Sequence, residues 1–139
     1  METSQKEIKL TIAAGKWSPW AERELQHALP YAPVDDLRRQ VEEHRARLFY
    51  VRYQKKRIAC YVLRIDGNEG VIVAAAGAFN DPVREGEVSL VKALLHHVER
   101  QFKNVWAVRI HTARAGLVRR LSAAGYQPQE FVMRKPCAN

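Results

Sequence analysis

Apolar positions alternate at Ile8, Leu10 and Ile12, which predicts a strand over Lys6–Ile12. Ser18 is a candidate N-cap, with Pro19 at the first helical position. Ala21, Leu25, Ala28 and Leu29 share one face of the helix that follows, and "LPYAP" ends it. A second helix opens at Asp35 or Asp36 and runs to about Arg47, burying Val34, Leu37 and Val41. The pattern then turns to strand. "LFYVRY" (Leu48–Tyr53) meets "RIACYVLRI" (Arg57–Ile65) across a tight hairpin at "QKK". "DGNEG" (Asp66–Gly70) makes a turn, and "VIVAAAGAF" (Val71–Phe79) is apolar enough to be buried on both faces. Val88, Val91, Leu94, Leu95, Val98 and Phe102 recur at helical spacing. "VWAVRI" (Val105–Ile110) is a strand. A short helix with Leu117, Val118, Leu121 and Ala124 inward ends at Gly125 as a left-handed cap. "EFVMRK" (Glu130–Lys135) is the last strand. The order β-α-α-β-β-β-α-β-α-β predicts an α/β fold. Its mixed sheet is antiparallel in the first half, with a central parallel pair.

A chain of 139 residues suits one domain spanning 1–139. No apolar run approaches the roughly 20 residues of a membrane span, and "METSQKEIKL" has no apolar stretch of signal type. The expected setting is cytoplasmic, with no membrane partner. Cys60 and Cys137 make no metal-ligand spacing and read as free thiols. A net charge of +8 favours an anionic partner: nucleic acid, a phosphorylated cofactor or an acidic surface. The basic residues are spread along the chain, and no base-reading motif is present. His96 and His97 are adjacent, so on a helix they point about 100° apart and share no metal site.

Three pieces together resemble the GNAT superfamily of acyl-CoA N-acyltransferases: the hairpin strands running into "GVIVAAAGAF", the loop and helix "REGEVSLVKALLHHVERQ", and "VWAVRIHTARAGLVRRLSAAGYQPQEFVMRK". The resemblance covers about residues 6–135. Compact chains with an Arg-rich third piece are also similar to proteins of tailed bacteriophages. The resemblance implies acetyl-CoA, or another acyl-CoA, between the strands Val71–Phe79 and Val105–Ile110. Its pantetheine arm would lie along Ala76, Gly77 and Ala78, where small side chains allow close approach. Its pyrophosphate would meet backbone N–H groups at the following helix start, around Arg84, Glu85, Gly86, Glu87, Val88 and Ser89, where the helix dipole favours an anion. Arg114 is a candidate for the 3′-phosphate.

The chain also departs from the family. Only Gly86 matches the paired small residues of the usual loop, and Glu85 and Glu87 bring negative charge there. Leu121 stands where a tyrosine acid is frequent, and Arg114 aligns with a frequent asparagine. His111, just after the fifth strand, is the candidate general base. Trp17 and Trp20 line either the core or an acceptor cleft. Tyr126 reads as a packing residue, and Tyr50, Tyr53 and Tyr61 as sheet residues. Two functions stay open. One is N-acyl transfer to a small-molecule or protein amine by direct attack on the thioester. The other is an inactive binding or assembly module whose basic surface meets nucleic acid or protein. A homodimer through an exposed last strand is an analogy with the superfamily.

Overall fold

The computed structural model describes residues 10–28, 33–77, 90–102, 104–111 and 115–129, and positions 133, 135 and 137. Nine elements follow in order: β1 (Leu10–Ala14), α1 (Pro19–Gln26), α2 (Val34–Glu42), β2 (Arg47–Tyr53), β3 (Lys56–Asp66), β4 (Glu69–Gly77), α3 (Leu90–Gln101), β5 (Ala107–Ile110) and α4 (Ala115–Ala123). The sheet runs β1-β2-β3-β4-β5. Every neighbouring pair is antiparallel except β4 with β5. The predicted mixed sheet with one parallel pair is the observed one. No described helix is long and apolar enough to cross a membrane.

Alternation along β2 and β3 builds two cores, one on each face of the sheet. Leu48, Tyr50, Cys60 and Val62 meet Ala21, Leu25, Leu37 and Val41 of α1 and α2. Phe49, Val51, Ala59, Tyr61 and Leu63 meet Leu94, Leu95 and Val98 of α3 and Leu121 of α4. Tyr61 is fully buried and stacks on Phe49, 5.2 Å between ring centroids. Its hydroxyl donates to Gln101 Oε1 at 2.5 Å. Burial pushes that phenol up to about 12, against the pull of the hydrogen bond.

Local signals set several boundaries. The amide of Ala21 donates to Ser18 Oγ at 3.2 Å, so Ser18 caps α1 as its sequence predicts. At the end of α4, Gly125 (φ +96°) donates to Ser122 O and Tyr126 N donates to Leu121 O. These two bonds make the left-handed cap. Other boundaries shift. β1 continues through Ala13 and Ala14, which pair with Tyr50 and Phe49; residues 6–9 lie outside the described set. α2 ends at Glu42 rather than Arg47, because His44 takes a left-handed φ of 61° and the amides of Arg45 and Ala46 turn back to Gln40 O. β5 begins at Ala107, since Trp106 is spent on a bond to Asn68 O. The predicted last strand, 130–135, falls almost wholly outside the described residues.

Charge ties the β3–β4 turn to β5. Arg109 donates to Glu69 Oε2 at 2.8 Å and to Asp66 Oδ2 at 2.7 Å. Arg64 holds the same Asp66 carboxylate at 3.1 and 3.2 Å and reaches Gln40 Oε1 of α2 at 2.8 Å. The Arg109 Nε has no partner among the described residues. The hydrogen bond from Arg64, then the charges of Arg64 and Arg109, hold the Asp66 carboxyl below its usual range. A depressed native pKa gives stability that is complete above the unfolded-state pKa of about 3.9 and is lost as pH falls through the native value. Asp66→Asn is therefore expected to lower the urea midpoint near neutral pH. The gap to wild type should narrow steadily as pH falls below about 4; a gap independent of pH would contradict this role for the carboxylate.

Candidate functional site

The parallel pairing of β4 and β5 is short. Glu69, Gly70, Val71 and Ile72 face Ala107, Val108, Arg109 and Ile110, and there it stops. β4 itself runs on to Gly77, still paired with β3 as far as Ala59↔Gly77. The cause is a bulge. Val62 pairs with Ala74 but Leu63 pairs with Ile72, so Val73 is an extra residue in β4. Val73 and Ala74 both pack on the α1/α2 side, while Ile72 and Ala75 pack on the other. An inserted residue bends a strand and raises its twist. Here the bend falls at the last residue that pairs with β5. Beyond it, no described strand pairs with Val73–Gly77 on that side. This edge is roughly 16 Å long at about 3.3 Å per residue.

Such an edge presents backbone N–H and C=O groups that need partners. Its side chains are small, with Ala74, Ala75 and Ala76 following Val73. Ala76 is buried opposite Cys60. Gly77 closes the strand at φ +123°, and a Cβ there would run into Ile58 O and the Cα of Ala59. No other residue fits without moving β3. His111 follows Ile110 directly, so it stands where the two strands part, and it is exposed. The other expected contact residues, Ala78, Arg84, Glu85, Gly86, Glu87, Val88, Ser89 and Arg114, lie outside the described residues.

Two departures from the superfamily pattern have a structural place. Leu121 is buried in the α3/α4 core, so no phenol occupies its position. Tyr126 is half-buried and donates to Glu99 Oε1 at 3.1 Å. Burial, then the Glu99 carboxylate, push its phenol far up, which suits packing and not proton donation. A shallow depression of about 490 Å³ lies at the other end of β5, beside Trp106 and Tyr126. It is away from the parted strands. His96 and His97 are exposed, and no metal-binding cluster occurs among the described residues.

The α1 side of the opening carries residues that strand alternation hides. β3 has its own bulge: Val51 pairs with Ala59 and Arg52 with Arg57, leaving Ile58 extra. Ile58 and Ala59 both pack toward α3, so Arg57 is turned back toward α1. Its guanidinium lies 4.4 Å from the Tyr50 ring centre and 5.2 Å from that of Trp20. Tyr50 donates to Lys16 O at 2.6 Å and meets Ser18 Oγ at 2.7 Å, which fixes the ring beside the α1 cap. Trp17 and Trp20 are half-buried on this core. Glu24 sits on α1 between Trp20 and Ala28, four residues either way, and is half-buried. Burial pushes the Cys60 thiol up to about 12; the Glu24 carboxylate adds to the shift and the Arg57 guanidinium opposes it. Gly77→Ala is expected to cost about 1–3 kcal/mol in chemical denaturation, from backbone strain and contact with β3. A neutral substitution would show that this strand end is not held as described.

No protein-family model matches the sequence, and no curated protein matches it. Solved structures do. A GNAT family acetyltransferase from Elizabethkingia anophelis, with acetyl-CoA bound, is 20% identical; the match covers 87% of this chain and 78% of that one, with a TM-score of 0.61. An acetyltransferase from Bacillus subtilis in complex with CoA is 17% identical over 88% of this chain and 79% of that one, TM-score 0.66. The aminoglycoside N-acetyltransferase AAC(6′)-Iy, in complex with CoA, is 15% identical over 93% of this chain and 96% of that one, TM-score 0.62. None of them bears on the likeness to bacteriophage proteins. The chain has the GNAT acyl-CoA N-acyltransferase fold, with its mixed sheet parted between the fourth and fifth strands.

Proposed function

We propose that the protein transfers an acyl group from acyl-CoA to an amine. The observation that carries this reading is the free β4 edge beyond Val73, in a fold shared with acetyltransferases bound to acetyl-CoA or CoA. An extended pantetheine arm has the backbone pattern of a strand, so it fits that edge by main-chain hydrogen bonds. Ala76 and Gly77 leave room for it. Ala78, the stretch Arg84–Ser89 and Arg114 are the candidates for the phosphates.

Acyl-CoA supplies an activated carbonyl with a thiolate leaving group. The protein's part is to bind and orient. N–H groups on the β4 edge polarise the carbonyl oxygen, and the parted strands hold it for attack from the α1 side. His111, exposed where the strands part, is the candidate to take the proton of the attacking ammonium. A thiolate departs readily, so the apolar Leu121 does not forbid the reaction. Leu121 and the single loop glycine Gly86 support a second reading, an inactive binding or assembly module whose basic surface meets nucleic acid or protein. The acceptor, nucleic acid contact and self-association belong to the same open choice.

Acetyl-CoA at about 100 times its dissociation constant is expected to stabilise the fold by about 2.7 kcal/mol, seen as a rise in Tm. Release of CoA thiol on adding an amine then separates enzyme from module, and His111→Gln is expected to lower kcat. No change in Tm at millimolar acetyl-CoA would contradict the transferase reading and leave the assembly module.

A further inference from the structure

The stretch 44–65 contains no acid. Of its cations, Arg45 and Arg64 are taken by Glu43 and Asp66, and Arg47 lies over the Phe49 ring. The tip of the β2–β3 hairpin is different. Arg52, Lys55, Lys56 and Arg57 are exposed there, and none makes an ion pair among the described residues. Register brings two of them face to face. In regular pairing Arg52 would meet Ile58, but the extra residue of the β3 bulge slips the register and Arg52 pairs with Arg57. Like charges directly opposite each other on a sheet repel.

The turn adds to this. Gln54 and Lys55 both take positive φ, 50° and 64°. A two-residue hairpin of this kind favours Asn-Gly or Gly-Gly, because an ordinary side chain is strained there. Lys55 accepts that strain and puts a charge at the end of the ribbon. Arg57 is laid over Tyr50 at 4.4 Å and over Trp20 at 5.2 Å from the ring centres. Stacking holds the guanidinium in place and leaves its in-plane N–H donors free for phosphate oxygens. Repulsion across the ribbon and a strained turn both weaken the fold. An anion over the tip turns the repulsion into attraction.

We infer that this hairpin tip is a docking surface for the phosphate backbone of nucleic acid, bound without regard to sequence. The size of the surface decides for a polymer. From the Arg52↔Arg57 pair to the turn, the ribbon spans roughly 7–10 Å at about 3.3 Å per residue. A single small anion reaches only part of that length. Duplex DNA carries one charge about every 1.7 Å of its axis, so it meets all four cations together. An ordinary protein surface intersperses both signs, whereas a phosphodiester backbone carries one. The surface does not depend on acyl transfer and stands with either reading of the parted strands.

The test is the salt dependence of binding to a labelled DNA duplex, read by fluorescence anisotropy. Four phosphate contacts predict a slope of log K against log salt of about −3.6, a fall of about 100-fold between 50 and 200 mM. Arg52→Gln, Lys56→Gln and Lys55→Gly are each expected to make the slope shallower by about 0.9 and to weaken two unrelated duplexes equally. Lys55→Gly also relieves the turn, so Tm should hold or rise while binding weakens, which separates a lost contact from a lost fold. Arg39→Gln and Arg100→Gln, exposed on α2 and α3, remove the same charge and are expected to leave the slope unchanged. No binding at 50 mM salt overturns the inference. So does an equal change of slope in the two helix variants, which assigns the binding to net charge alone. Tighter binding of poly-glutamate than of the duplex, at equal charge, gives the surface to an acidic protein and overturns it. Loss of the acetyl-CoA rise in Tm in the hairpin variants gives the tip to the phosphates of CoA, and the inference falls.

Discussion

A strand edge inside a folded domain must give its backbone groups to a neighbour, to water or to a ligand. The structure turns on how β4 meets this constraint. Its first four residues give theirs to β5, and the Val73 bulge then bends the strand where that pairing ends among the described residues. β3 stays paired with β4 to Gly77, so the sheet does not fray; it divides on one side only. The Arg109 bonds to Asp66 and Glu69 secure the closed half of the pair from below. Opening above and clamping below are one arrangement: a wedge keeps its angle only if its apex is fixed.

The same device appears twice. The Val73 bulge sets the backbone free, and the Ile58 bulge brings a cation to the face that looks onto it. Both sit toward one end of the sheet, with α1 across from them. Gly77 pairs with Ala59, and its missing Cβ lets Ile58 and Ala59 pack against it. The site is thus made of strand irregularities held by a regular core. Its polar residues are few, and most of its shape is backbone.

That explains what could be read in advance. Local chemistry announced α1 through Ser18 and Pro19, and the cap of α4 through Gly125. The apolar period of α3 and the run at Val71 gave the layers and the parallel crossover. Bulges leave no such trace. Neither Val73 nor Ile58 is a glycine, so nothing in the sequence marks where the alternation slips. One turn was equally silent: His44 takes a positive φ after α2 without the glycine or asparagine that usually marks such a position, whereas the tight hairpin expected at "QKK" forms with Gln54 and Lys55 at positive φ. The resemblance placed the fold and the parted pair. It led attention to the loop after β4, which lies outside the described residues.

The central claim is that β4 is bonded on two sides before Val73 and on one side after it. Amide-resolved hydrogen exchange on the free protein reads this directly. Protection should be continuous from Gly70 to Ile72. From Val73 to Gly77 it should alternate, with amides that point to β3 slow and those that point to the opening fast. Uniform slow exchange along the whole of β4 would show a closed sheet and contradict the account.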